Sequence, residues 1–163
     1  MRGGGAACRA ALVAGLLTTP ALYAVAADAP AYPDGAKAFQ ASCAVCHGPG
    51  GAGIPSLAPP LLSYPAHYAA SAEGRRQLAM TVLNGLYGAI TVGDQHFDFR
   101  MPEFSALDDA TLAAALNFVV FDLGHAAADT KPITPAEILA ERSHPVDGAA
   151  VREHRKSVVP AGG

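Results

Sequence analysis

Residues 43–47 read Cys43-Ala44-Val45-Cys46-His47. Two thiols three positions apart share one face of a helical turn, and an imidazole follows at once. Four uses compete for such a pattern. A disulfide between Cys43 and Cys46 would close a tiny loop and stabilise little. Tetrahedral zinc needs four Cys or His ligands, and no second cysteine pair exists to supply them. A thioredoxin-like dithiol follows a strand inside a βαβ unit, whereas the preceding stretch, Pro33 to Ser42, has helical periodicity. The fourth use is attachment of a larger prosthetic group.

C-x-x-C-H is the direct signal for c-type haem attachment. Each thiol can add to one vinyl group of a haem, and His47 can bring a ring nitrogen to the iron from one side. The rest of the chain agrees. The first 27 residues carry Arg2 and Arg9, an apolar run from Ala10 to Leu17, and small residues at Ala24-Val25-Ala26-Ala27. This is the layout of a secretory signal peptide over residues 1–27. The rival, an uncleaved anchor, would have only Ala10 to Ala27 with Pro20 inside it, short of the ~20 apolar residues that span a bilayer. No other stretch is long enough, so no membrane span is expected after cleavage. Cys8 would leave with the signal, and both remaining cysteines sit in the motif. The chain has 11 Lys and Arg against 14 Asp and Glu, net −3, and loss of Arg2 and Arg9 leaves 9 against 14, net −5. An acidic secreted protein is not expected to bind nucleic acid, whose phosphates call for cations.

The other face of the iron can be open or filled. Met101, in Arg100-Met101-Pro102-Glu103-Phe104, is the expected second ligand. Pro102 stiffens the chain beside the sulfur, and the segment ends at a helix start, so it can arch over a haem. Met80 lies on a helical face with Leu78 and Val82 and reads as core. His96 reads as a solvated residue beside a turn. His67, His125, His144 and His154 lie in loops or near the ends. Thioether ligation favours Fe(II) and raises the reduction potential relative to two histidines, and it leaves no vacant position for oxygen or peroxide.

With 163 residues, 51% hydrophobic and 15% charged, the chain suits one domain with a real core. A first helix is expected over about 34–46, with Asp34 as N-cap. Residues 48–61 carry too many Gly and Pro for regular structure, and the Pro59-Pro60 region can supply a carbonyl for the second ring N–H of His47. A second helix is expected over about 71–86, then a small hairpin around Gly93-Asp94. A third helix opens at Ser105, with Asp108 at capping-box spacing, and stops at Gly124. Thr134-Pro135-Ala136-Glu137 is a second capping box, starting a short helix that ends near Arg142. Residues 144–163 read as a C-terminal tail with at most a loose helical turn over 151–156.

Over about residues 33–143 the chain resembles a small mono-haem class I cytochrome c of the bacterial periplasmic type. The matching pieces are Gly35, Phe39, the run from Cys43 to Gly48, Pro59-Pro60-Leu61, Val82 to Leu86, Gly88 to Val92, Met101 to Phe104 with Leu107-Asp108, and Leu112 to Val119. The resemblance implies an all-α fold of about four helices, with long loops wrapped round one covalent haem c, in a domain spanning 28–143. It implies that Cys43 and Cys46 hold the haem, that His47 and Met101 ligate iron, and that Pro59 orients His47. Gly35 and Phe39 would face the last helix near Phe118. The activity implied is electron transfer in the periplasm, without catalysis of its own, between a dehydrogenase or respiratory complex and an oxidase. A haem subunit of a larger complex and an open-site haem enzyme such as a peroxidase are the alternatives. The fully apolar Val119-Val120-Phe121 and the long tail depart from the family pattern.

Overall fold

The computed structural model describes Met1 and residues 29–159. The expected signal peptide, with Cys8, lies outside the described residues. Among them are seven α-helices, one π-helical turn and a two-stranded hairpin. No helix among them is long and apolar enough to cross a membrane.

Helix α1 (Pro33–Ser42) begins with Pro33 in its first turn, where a missing N–H costs nothing. Asp34 is not its N-cap. That position is Tyr32, which makes no side-chain cap bond, and Asp34 sits one turn in, paired with Lys37 at 2.9 Å. The start of the helix is tied instead from a distance: Asp122 accepts the N–H groups of Ala31 (2.7 Å) and Tyr32 (3.0 Å). The expected single helix to Cys46 also breaks. Cys43 is a single turn residue at φ −108°, and α2 (Ala44–His47) follows it.

The first and last long helices cross closely. A Cβ on Gly35 would run into the Ala114 carbonyl, so only glycine permits the approach. Phe39 is fully buried there, 5.4 Å from Phe118 in a tilted aromatic pair, a geometry that adds to its area burial.

A helix absent from the expected set, α3 (Tyr64–Ala69), precedes α4 (Ala72–Asn84). Ser71 caps α4 by accepting the Gly74 N–H. The hairpin forms where expected: β1 (Ile90–Val92) pairs antiparallel with β2 (Gln95–Phe97), with Gly93 at φ +62° in its turn. Helix α5 (Asp109–Asn117) is capped three residues later than expected. Ser105 lies in a turn, and Asp108 is the cap, accepting the Thr111 N–H at 2.8 Å. The winding then loosens to a π-helical turn (Phe118–Leu123) that ends at Gly124. Helix α6 (Pro135–Arg142) has the expected Thr134–Glu137 capping box.

The C-terminal segment differs most from expectation. Gly148–Val158 is an eleven-residue helix, α7, capped by Asp147, whose side chain accepts the Ala150 N–H. Its Val151 is fully buried and packs with Met80 and Leu86. The main core lies among α4, α5 and α6, around Leu78, Leu83, Leu112, Leu116, Val120 and Ile138. Arg142 clamps α6 to the turn before α5, donating to the Ser105 and Leu107 carbonyls and to Asp109.

Candidate functional site

The bend at Cys43 and the single turn of α2 bring Cys43, Cys46 and His47 to one wall of a cavity of about 240 Å³. Both cysteines are free thiols. Burial, and then the neighbouring Cys46, push the Cys43 thiol up to about 11, so it carries its proton at neutral pH.

His47 is buried. Its Nδ1 lies 2.8 Å from the Pro59 carbonyl oxygen, and a carbonyl can only accept, so Nδ1 carries the proton. Burial pushes the imidazole below its usual range, partly opposed by the Pro59 bond. The ring is therefore neutral at pH 7, and Nε2 keeps its lone pair for a ligand. The loop that delivers Pro59 depends on Gly53, which has φ +78° and where a Cβ would meet the Ala58 oxygen and the Pro60 nitrogen, each at 2.7 Å. The Gly53 N–H in turn donates to the His47 carbonyl at 2.8 Å, which closes the loop on the motif.

Met101 also lines the cavity. Its backbone is fixed on both sides of the residue: its N–H donates to the Leu86 carbonyl (2.8 Å) and its carbonyl accepts from Leu86 (3.2 Å). Three residues on, the Phe104 N–H donates to Val82 at 2.8 Å, and Pro102 stiffens the chain between. The five residues singled out in the sequence, Cys43, Cys46, His47, Pro59 and Met101, thus meet at one cavity.

The other sulfur and imidazole groups lie elsewhere. Met80 is buried with Leu86 and Val151. His96 is exposed on the hairpin opposite Thr91. His67 and His144 are exposed, and His154 donates from α7 to the Gln77 side chain at 2.7 Å. Among the described residues no three His, Cys, Asp or Glu side chains gather into a metal site, so zinc lacks a ligand set. The motif follows helix α1 rather than a strand, contrary to a thioredoxin-like arrangement.

The cavity wall contains residues that no sequence pattern flagged. Leu57, Leu61, Leu78, Val82, Phe97 and Leu116 make most of it apolar, and Tyr68, Gln77, Arg100 and Arg155 add polar groups. Tyr68 belongs to the unexpected α3, and Arg155 to the unexpected α7. The donor set, two thiols and a neutral imidazole on one apolar wall with a thioether also on the lining, suits a flat, mostly apolar iron macrocycle.

A family model described as Cytochrome C oxidase, cbb3-type, subunit III matches residues 30–119. The matched span covers the C-x-x-C-H motif, the cavity loops and Met101, and ends before α6 and α7. No curated protein matches the chain.

Proposed function

The chain belongs to the family of cytochrome c oxidase, cbb3-type, subunit III, electron-transfer haem proteins, and from that we propose that it holds one haem c covalently and shuttles electrons in the periplasm. The donor would be a dehydrogenase or respiratory complex and the acceptor an oxidase. The observation that carries this reading is the meeting of Cys43, Cys46, His47 and Met101 at one apolar cavity, with the His47 tautomer set by Pro59.

In this proposal Cys43 and Cys46 form the tether. Each thiol would hold one vinyl side chain of the haem as a thioether, its S–H adding across the double bond with the hydrogen passing to the neighbouring vinyl carbon. The step is redox-neutral and needs no oxidant. His47 presents Nε2 while Pro59 holds Nδ1, which keeps the ring in one orientation and raises its basicity as a ligand. Met101 offers a soft, neutral sulfur from a backbone fixed to Leu86. The haem, when bound, supplies a one-electron Fe(III)/Fe(II) couple. The apolar wall keeps water from that couple and disfavours the more highly charged state, so it works with the thioether to raise the potential.

The test is an absorption spectrum of the periplasmically expressed protein, oxidised, reduced, and then exposed to carbon monoxide. Sharp split bands on reduction that carbon monoxide leaves unchanged, with haem retained after acidic acetone extraction, are expected. A carbon monoxide shift in the unmodified protein would point to an open-site enzyme, and absence of haem bands would end the haem reading. The oxidase name of the matched family favours a second arrangement, a haem subunit of an oxidase complex. Co-purification with oxidase activity from native membranes would distinguish it from a free carrier.

A further inference from the structure

The cavity wall carries an electrostatic imbalance. Arg100 and Arg155 line it, and no Asp or Glu does, in a chain of net charge −3. Its other titratable lining groups are Tyr64, Tyr68, His47 and the two motif thiols.

One of these groups lacks the partner that burial normally demands, and a second, half-buried, keeps N–H groups to spare. Tyr68 is 8% exposed, and its hydroxyl has no hydrogen-bond partner among the described residues. A buried donor without an acceptor is costly. Arg155 stands beside it: burial pushes the Tyr68 phenol up, and the Arg155 guanidinium opposes that shift. Arg155 donates to the Thr91 carbonyl at 3.0 Å, which uses one of its five N–H groups. Its helix neighbours Arg152 and Lys156 both pair with Glu153, whereas Arg155 forms no ion pair among the described residues. Helix α7 is held in place independently of Arg155, by the buried Val151, the His154–Gln77 bond and the Asp147 cap.

A phenol and a guanidinium fork side by side on an otherwise apolar, acid-free wall make a carboxylate site. Resting on the haem reading above, we propose that Tyr68 and Arg155 bind a propionate carboxylate of the haem. The C-terminal helix, beyond the segment that matches the family, is then a cofactor-positioning element. Arg155 neutralises the carboxylate and keeps it ionised, and Tyr68 donates its O–H to the same group.

The test is the reduction potential of the holoprotein as a function of pH, for the wild type, Arg155→Gln, Tyr68→Phe and the control Arg152→Gln. The wild type is expected to have a flat profile across the neutral range. Arg155→Gln should lower the potential and add a wave that falls as pH rises, because the carboxylate then titrates within that range. Tyr68→Phe should add a smaller wave without removing a charge, and Arg152→Gln should keep the profile flat. In ¹³C NMR of protein loaded with propionate-labelled haem, the carboxyl titration should move with Arg155→Gln and Tyr68→Phe alone. Unaltered profiles in both variants, or an equal change in Arg152→Gln, would overturn the proposal while leaving the haem reading intact. A wild type without haem bands would overturn both.

Discussion

In the proposed haem site, the Met101 sulfur is the single atom that separates a closed iron site from an open one. Its backbone is fixed by the two bonds to Leu86 and does not depend on the side chain. Leucine has nearly the same volume, and such swaps usually cost less than about 1.5 kcal/mol. Met101→Leu should therefore fold and still carry haem, yet bind carbon monoxide once reduced. A variant spectrum that carbon monoxide leaves unchanged would mean that another side chain holds the sixth position. The same scale shows why His47 was legible and Tyr68 was not. His47 belongs to a five-residue pattern whose spacing is itself the chemistry. Tyr68 is one of five tyrosines, and its meaning depends on Arg155, which is remote in sequence.

Among the elements, α6 is joined to α4 by a charge pair that pH can test. Arg75 reaches Glu137 through two bonds of 2.7 and 2.8 Å. The Arg75 guanidinium first, with help from Thr134, lowers the Glu137 carboxyl to about 2 against an unfolded value of 4.5. A depressed folded value stabilises the protein above about pH 4.5, and that contribution is lost as pH falls towards 2. The pair is partly solvent-exposed, so screening reduces it to on the order of 1 kcal/mol. Glu137→Gln can keep a capping box while losing the charge. Urea midpoints should put it about 1 kcal/mol below the wild type at pH 7, with the gap closing in acid. A gap that stays constant with pH would rule the ion pair out as its cause. The Thr134–Glu137 capping box and the hairpin turn were readable because each is written within four residues. Helix α7 was not: Val151 is its one fully buried large apolar side chain, with Val158 only partly buried against the core, so its apolar stripe is too narrow to register.

Across the whole molecule, the cavity is walled by nearly every element from α2 to α5, with α7 at its edge. Left unfilled, its apolar wall would stay in contact with water, at a cost of roughly 6 kcal/mol at about 25 cal/mol per Å². That is comparable with the ~5–15 kcal/mol by which a typical domain is stable. Haem-free protein is therefore expected to have reduced helix content and a broad, early melt in circular dichroism. A sharp melt with full helix content would mean that the polypeptide core among α4, α5 and α6 suffices alone.

Sequence alone determined the C-x-x-C-H motif, the helical class, the hairpin and the Gly35–Phe39 face of α1. Each is local, carried by spacing or by turn and cap chemistry within a few residues. The tertiary structure alone decided that Asp122 secures the start of α1, that Asp108 rather than Ser105 begins α5, and that the C-terminal segment returns as a helix to bring Arg155 beside Tyr68. Those arrangements depend on groups distant in the chain, whose meeting is set by packing around a shared cavity.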